Sequence, residues 1–231
     1  MRISDRTKLT APVRVTVRSK EECVGHPQLE GFRCTDGPAG REVALIVGNL
    51  LSGEALPQSV AFVDDAASGA LLGVASVRPD GNSQLRAKSS TPWFVRRLST
   101  NPYVNMIARD ERYAGHVLLD GRTRLGTAVL RAGLEGLAAH LGTDTLPTIF
   151  ALVRRENEPS KRTFGEFAFY PHDRSSENRQ DVYVRRAGRR LPPPPPLDAY
   201  IPLGQEPEVR SLRASRSASE AASEPASGRS G

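Results

Sequence analysis

The stretch ALVRRENEPSKRTFGEFAF, residues 151–169, joins an apolar run to a polar cluster and then to a segment that ends in aromatics. The run at residues 148–153 is almost continuously apolar, which predicts a strand covered on both faces. Pro159 suits the first turn of a helix. The polar residues therefore lie where a strand ends and a helix begins, and α/β proteins bind ligands at such strand ends.

A longer helix is predicted before that strand. Four leucines recur three or four residues apart within residues 122–141 and form one apolar stripe. Gly142 follows at the position of a left-handed helix cap. Residues 103–108 predict the preceding strand, because alternate side chains there share one apolar face.

The remaining elements are shorter. Apolar spacing predicts a strand at 13–17, a helix at 41–51, a hairpin of strands at 60–63 and 71–77, a short helix from Trp93 and a last edge strand at 182–184.

The composition changes near residue 190. Residues 192–196 are an uninterrupted proline run, which favours a stiff polyproline II segment and excludes a helix or strand. Beyond residue 203 the chain offers little to bury. We therefore predict one domain over residues 1–190 and a Pro-rich linker with a disordered tail over residues 191–231.

The charge of the chain is positive, with 32 Lys and Arg against 26 Asp and Glu. The arginines alternate with acids rather than forming a block, which argues against nucleic-acid binding as the primary role. Cys23 and Cys34 form no CxxC pair, and the four histidines are scattered, so a metal site is not expected. The N-terminus lacks the apolar core of a signal peptide, and no segment approaches a membrane span. We expect a cytoplasmic protein without a membrane partner.

The order of strand, glycine-containing loop, long helix, buried strand, polar cluster and helix resembles the GNAT superfamily of acyl-CoA-dependent N-acyltransferases, over about residues 60–169. The resemblance implies an α/β (α+β) fold. In this fold a mixed, mostly antiparallel central sheet is flanked by helices and splayed between two central strands. It also implies acetyl-CoA as a co-substrate and no metal.

In that family the loop and the start of the long helix hold the CoA pyrophosphate through backbone N–H groups. A helix N-terminus attracts phosphate, glycine permits close approach, and arginine adds charge. Arg124 stands where the family usually has glycine. The alternative is a helix start that merely follows glycines. The cofactor-binding residues implied here are Gly115, Arg122, Thr123, Arg124, Leu125, Gly126 and Thr127.

The family pattern continues into the opening stretch. There the strand ends near an Asn, followed three residues on by a small residue and seven residues on by an aromatic, as Asn157, Ser160 and Phe164 are spaced here. The resemblance implies that these side chains meet the pantetheine arm. It also implies that the strand edge at Ile107, Ala108 and Arg109 offers the arm backbone groups. Asn157 can equally cap the helix, and both roles can coexist.

No catalytic residue follows from the spacing. Many family members carry a Tyr where Phe164 stands, to protonate the departing thiolate, and Phe cannot do so. Asp64 and Asp65 also suit a solvated hairpin turn, and Glu135 and His140 suit the surface or packing of the long helix. The remaining candidates for proton donor and acceptor are Tyr113, Tyr170, Asp64, Asp65 and His116.

The leading interpretation is an N-acyltransferase that moves an acetyl or other acyl group from acetyl-CoA to an amine of a small molecule or protein. The amine would attack directly in a ternary complex, with the acceptor and the oligomeric state unspecified. A non-catalytic module that binds CoA or acyl-CoA is the first alternative, and Phe164 favours it. A basic nucleic-acid-associated protein using residues 78–97 and 185–190 is the second, and it predicts steep salt dependence.

Overall fold

The computed structural model describes residues 7–35, 38–56, 58–82, 93–175 and 180–205. The strands and helices of this part are β1 (Val13–Arg18), α1 (Lys20–Cys23), α2 (Pro27–Glu30), α3 (Pro38–Ser52), β2 (Ser59–Asp65), β3 (Leu71–Arg78), α4 (Trp93–Leu98), β4 (Tyr103–Arg109), α5 (Leu125–Leu141), β5 (Ile149–Arg154), α6 (Glu158–Glu166), β6 (Tyr170–Ser175), β7 (Gln180–Arg185) and β8 (Tyr200–Ile201). No helix in these ranges is long and apolar enough to cross a membrane.

The strands form one sheet in the order β6-β7-β5-β4-β3-β2-β1-β8. The pairs β4–β5 and β1–β8 are parallel, and the other neighbours are antiparallel. Helices α5 and α6 cover one face, and α3 covers part of the other. The predicted mixed, mostly antiparallel sheet flanked by helices is confirmed.

Helix α5 packs very closely on the sheet. A Cβ added to Gly73 of β3 would lie 2.3 Å from Cγ2 of Val129, and one added to Gly133 would lie 2.8 Å from Cβ of Ala75. Since real Cβ atoms do not approach this closely, glycine at these two positions brings the helix axis nearer to the sheet. The start of α5 is thereby fixed against the ends of the central strands.

The sheet is split between β4 and β5. Only Tyr103 with Phe150 and Val104 with Ala151 are paired, at the start of both strands. Beyond them β4 stays paired to β3, and β5 stays paired to β7. Asn105 is an extra residue opposite β3, because Ser76 pairs with Met106 and Val77 with Val104. Such a bulge bends its strand, which agrees with β4 leaving β5 at this point. The predicted splay between two central strands is confirmed.

Helix α5 begins three residues later than predicted. The backbone N–H groups of Arg122 and Thr123 donate to Oδ1 of Asp120, both at 2.8 Å, and Gly121 has a φ of +68°. Because the carboxylate satisfies these N–H groups, residues 121–123 form a turn rather than the first helical turn. At the other end Gly142 has a φ of +60° and ends the helix, as predicted.

The strand predicted at 182–184 is present, but the prediction that it lies at the edge of the sheet is wrong. Strand β7 is longer, Gln180–Arg185, and lies between β5 and β6. The edge strand is β6, whose sequence YPHDRS has no alternating apolar pattern. Pro171 of β6 lacks an N–H group, which an edge strand tolerates. Pairing with β7 rather than sequence periodicity therefore makes β6 a strand.

The compact part extends past the predicted boundary at residue 190. Residues 191–205, here called the C-terminal strap, cross α5 and include β8, which pairs with β1. Arg131 of α5 donates to the carbonyl oxygens of Pro192 and Pro193, and the fully buried Tyr200 donates its hydroxyl to Oε2 of Glu135 at 2.9 Å. A proline run offers carbonyl acceptors although it lacks donors, which explains why a buried arginine can hold it. The remainder of the segment predicted as linker and tail, residues 206–231, lies outside the described residues.

Candidate active site

A cleft opens where β4 and β5 part. Its outer part is a cavity of about 360 Å³, and its inner part, under α3, holds about 100 Å³. The outer volume is within the range of ligand sites in proteins. The C-terminal half of β4, the first turns of α5 and α6, and the N-terminal half of α3 with Cys34 and Thr35 form its walls. The cleft thus lies at the strand end that the opening stretch indicated.

The residues predicted to bind the cofactor divide into two groups. Those that line the outer cavity are Ile107, Ala108, Arg109, Gly126, Asn157 and Ser160. Phe164 lines the inner part, together with Ile107, Asn157 and Ser160 again. The residues that line neither part are Gly115, Arg122, Thr123, Arg124, Leu125 and Thr127.

The loop before α5 explains why the second group lies elsewhere. It folds back on itself, with the Leu118 N–H donating to Thr123 O at 2.8 Å and the Leu125 N–H to His116 O at 3.2 Å. Leu125 is fully buried in the core, and Gly115 lies in an exposed turn. In the first turn of α5, the Gly126 N–H is the group without an acceptor among the described residues. Of the residues predicted to hold the CoA pyrophosphate, Gly126 is therefore the one that lines the cavity with an N–H group free of an acceptor among the described residues.

Side chains at the start of α5 contact α6 rather than the cavity. Thr127 Oγ1 donates to Oε2 of Glu166 at 2.6 Å, and Nη1 of Arg124 lies 3.7 Å from Oε1 of the same carboxylate. Both charged side chains are about two-fifths exposed, so this ion pair contributes little stability. Its effect is to place a carboxylate close to the positive end of α5.

The edge of β4 presents backbone groups to the cleft. The Asp110 N–H donates to Leu72 O on β3 at 2.9 Å. Because backbone direction alternates along a strand, the N–H and C=O groups of Ile107 and Arg109 point away from β3 and toward the split. The half-buried Arg109 makes no ion pair with a described residue, and alternation places its side chain on the α5 face with Ile107. A polar edge and a free guanidinium therefore face the same cavity.

Asn157 caps α6 and lines the cleft. Its Oδ1 accepts a hydrogen bond from the Ser160 N–H at 3.2 Å, which is the helix-cap role. Since Oδ1 faces that N–H group, the Nδ2 donor points away from it, and among the described residues it meets no acceptor. The cap is thus observed, and a separate donor is available to a ligand.

Asp110 fixes the wall that carries Cys34 and Thr35. Its buried carboxylate accepts from the Arg33 N–H at 3.0 Å and from Nε and Nη2 of Arg112 at 2.8 Å each. Burial acts to raise the pKa of Asp110, but the hydrogen bonds from Arg112 and the Arg33 N–H outweigh it and hold that pKa below its usual value. No role was predicted for this wall, and the signal that could have indicated one is the Asp directly after a central strand.

The two cysteines are free thiols. Burial, followed by the charges of Asp110 and Glu111, raises the pKa of Cys34. Burial also raises the pKa of Cys23, to about 11. Both therefore stay protonated at neutral pH, and neither is prepared to act as a thiolate nucleophile. No group of three or more His, Cys, Asp or Glu in the described ranges could hold a metal ion.

The proton donors and acceptors suggested from the sequence lie away from the cleft. Asp65 holds the β2–β3 turn through the N–H groups of residues 67 and 68, as the structural alternative expected. Asp64 lies on β2, where burial raises its pKa to about 6. His116 packs on Tyr113, and the Tyr170 hydroxyl bonds to Arg186. None of these side chains lines either part of the cleft.

In the part of the chain that the structure describes, the carboxylates that line the cleft are Glu42 and Glu156. Arg154 lies between them, donating through Nη2 to Glu42 Oε1 and approaching Glu156 Oε1 to 3.6 Å through Nη1. Glu156 belongs to the polar cluster of the opening stretch, which could have drawn attention to it. Glu42 could not be found that way, because α3 (Pro38–Ser52) and β4 (Tyr103–Arg109) are far apart in the chain.

No family model matches the chain, and no curated protein matches it. Solved structures align with it at low identity. A ribosomal-protein-S5-alanine acetyltransferase from Vibrio fischeri is 12% identical, over 77% of this chain and 94% of that one, with a TM-score of 0.41. A putative GNAT-family acetyltransferase from Bordetella pertussis is 17% identical, over 72% of this chain and 89% of that one, with a TM-score of 0.44. NAA60 from Arabidopsis thaliana, in complex with a bisubstrate analogue, is 12% identical, over 74% of this chain and 97% of that one, with a TM-score of 0.43. These are distant likenesses of fold, and they assign no activity to the chain.

Proposed function

We propose that this protein is an N-acyltransferase that transfers an acetyl group from acetyl-CoA to an amine of a small molecule or protein. The observation that carries the proposal is the split between β4 and β5. Two parallel neighbours in the middle of a sheet lose their pairing after two residue pairs, and a cavity of about 360 Å³ fills the gap. An unpaired strand edge inside a cavity suits an extended, amide-bearing ligand.

The pantetheine arm of an acyl-CoA fits this edge chemically. Its amide groups can pair with the outward backbone groups of Ile107 and Arg109, as an added strand would. The Nδ2 donor of Asn157 supplies a further hydrogen bond to a carbonyl from the opposite wall. Such an arrangement binds by main-chain groups, which supports recognition of the arm rather than of the acyl chain.

The phosphates of CoA would lie at the outer end of the cavity. The Gly126 N–H at the start of α5 lacks an acceptor among the described residues, and the helix N-terminus carries partial positive charge. Arg109 adds a guanidinium on the same face of the sheet. A phosphate site made of one free N–H group and one arginine is smaller than the site that the family resemblance implied for residues 115–127.

The acceptor amine attacks the thioester carbonyl directly in this proposal. Direct attack needs no enzyme nucleophile, which agrees with a Cys34 thiol that burial keeps protonated. Backbone donors at the β4 edge would stabilise the negative charge that develops on the carbonyl oxygen. The acceptor would enter from the α3 side, where Cys34, Thr35 and the first turns of α3 form the cavity wall.

A module that binds acyl-CoA without turnover is the second candidate, and Phe164 favours it. The ring is 3% exposed and packs edge-on against Phe169 with the centroids 4.9 Å apart. It cannot give a proton to the departing sulfur. Release of free CoA thiol from acetyl-CoA in the presence of a panel of amines distinguishes the enzyme from this module.

Calorimetric titration with acetyl-CoA, CoA, ATP and duplex DNA at matched salt tests the binding site. Gly126→Glu places a carboxylate in the cavity, and its Cβ meets only Thr163 Oγ1 at 3.8 Å, so the fold is retained. Gly48→Glu is the matched control, because Gly48 is an exposed helical glycine with open space around it. We expect acetyl-CoA to bind to the wild type and to the control but not to Gly126→Glu. Equal binding of ATP or DNA would refute the proposal.

A further inference from the structure

We propose that Glu42 is the residue that takes a proton from the acceptor ammonium, an assignment that rests on the proposed acyl transfer. An amine attacks a carbonyl only when its nitrogen lone pair is free, and most amines are protonated at neutral pH. The site therefore needs a carboxylate or histidine within reach of the acceptor nitrogen, directly or through one water molecule.

The described lining of the cleft offers two candidates. Among the described residues, no His or Asp lines either part, and the carboxylates that do are Glu42, in the inner part, and Glu156, in the outer part. The position of the reacting carbonyl separates them. Phosphates held at Gly126 and Arg109 mark the outer end, so the arm extends inward along β4 and its thioester lies toward the inner part. Glu42 lines that inner part with Asn105 and Phe164.

Arg154 holds Glu42 in place from the opposite side of the split. Its guanidinium extends from the end of β5 to α3 and donates to Oε1 of Glu42. Glu42 Oε2 makes no hydrogen bond with a described residue, so this oxygen is available to an ammonium N–H. One carboxylate oxygen thus fixes the orientation, and the other accepts the proton. Glu156 is more exposed than Glu42, with 56% of its side chain accessible against 46%.

The proton balance is complete without any further reagent. The ammonium gives one proton to Oε2 of Glu42, and the neutral nitrogen forms the new N–C bond as the C–S bond breaks. The sulfur leaves with the bonding electron pair and receives the second nitrogen proton. Glu42 then returns its proton to water. The products are the amide, free CoA thiol and one released proton.

The pH dependence of transfer tests this assignment. The assay uses acetyl-CoA with 1,4-diaminobutane, glycinamide or a short peptide with a free N-terminus, whichever the wild type acetylates. Glu42→Gln should lower kcat/KM on the order of a hundredfold at pH 7. It should leave acetyl-CoA affinity unchanged. The deficit should shrink as the pH approaches the acceptor's own pKa, because the amine then arrives already neutral.

Two further variants separate proton transfer from positioning. Arg154→Gln removes the same ion pair but keeps the Glu42 carboxylate, so its deficit should not shrink with pH. Glu156→Gln should keep the wild-type pH dependence. A Glu42→Gln deficit that is constant across pH, or absent, would overturn the assignment while leaving acyl transfer intact. A wild type that fails to bind acetyl-CoA or to acetylate any of these amines would instead refute the proposed function.

Discussion

Asn157→Asp separates the two roles of Asn157 in one substitution. Oδ1 caps α6 by accepting the Ser160 N–H at 3.2 Å, whereas Nδ2 is the donor that we assign to the pantetheine arm. Asp retains an oxygen for the cap and removes the donor. Because Asp and Asn are comparable caps, the free energy of unfolding should change by only a few tenths of a kcal/mol. A carboxylate at a helix N-terminus would, if anything, add about 0.3–1 kcal/mol.

Binding should respond differently. Loss of one hydrogen bond costs about 1–1.5 kcal/mol, which is on the order of tenfold in the Kd of acetyl-CoA. The new carboxylate facing a carbonyl oxygen should add to that loss. Calorimetry would give the Kd, and urea unfolding the stability. Asn157→Ala is the comparison, because it loses both groups and should lose about 1 kcal/mol of stability as well.

The result that would refute the reasoning is Asn157→Asp with a wild-type Kd for acetyl-CoA. In that case the cap would be the whole role of Asn157, and the arm would bind elsewhere. Loss of stability in this variant comparable with Asn157→Ala would contradict the assignment of Oδ1 as the cap.

Two further substitutions test the supports of the site. Asp110→Asn should lower the free energy of unfolding by about 1.5–3 kcal/mol at pH 7, since it weakens charged hydrogen bonds from Arg112. Folding lowers the pKa of Asp110, so its carboxylate stabilises the fold above the unfolded pKa near 3.9, and this stability is lost as the pH falls through the folded pKa. The free energy of unfolding, measured in urea, should therefore fall less steeply with decreasing pH in Asp110→Asn than in the wild type. Equal pH dependence in the two proteins would contradict this. Tyr200→Phe should lose about 1 kcal/mol in thermal unfolding, because Glu135 loses its hydroxyl partner, and it should leave acetyl-CoA affinity unchanged. A large change in affinity would mean that the C-terminal strap acts on the cleft.

Features encoded by neighbouring residues could be predicted from the sequence. The apolar run of β5, the cap glycine of α5 and the strand–helix boundary at Asn157 each depend on a few adjacent positions. The splay between two strands followed from the family resemblance, and the structure confirms it. Gly126 and Asn157 lie together at the cavity because both occupy helix starts that follow neighbouring strands.

Features that depend on the conformation of a loop or on distant contacts could not be predicted. Asp120 accepts hydrogen bonds from the N–H groups of Arg122 and Thr123, so these groups are not available to a phosphate, although the composition of the loop suggested that role. The α3 wall with Glu42 comes from a part of the chain with no signature of its own. Tyr200 follows a proline run that predicts neither helix nor strand, yet its side chain is buried in the core cluster that contains residues of β1 and α5. Pairing partners rather than periodicity also define β6 and β8.

The shortness of β8 has a consequence for solubility. Strand β8 pairs with Val13 and Arg14 alone, and no described residue pairs with residues 15–18 on the same side of β1. An open edge of this kind is a template for pairing between molecules, and charged side chains on it oppose such pairing. Arg14 and Arg18 supply that charge. A chain cut at the compositional break near residue 190 would lose β8, bare the edge at Val13 and leave an apolar hollow where Tyr200 had been. Such a chain would self-associate, whereas one that ends after residue 205 would keep Val13 and Arg14 paired with β8.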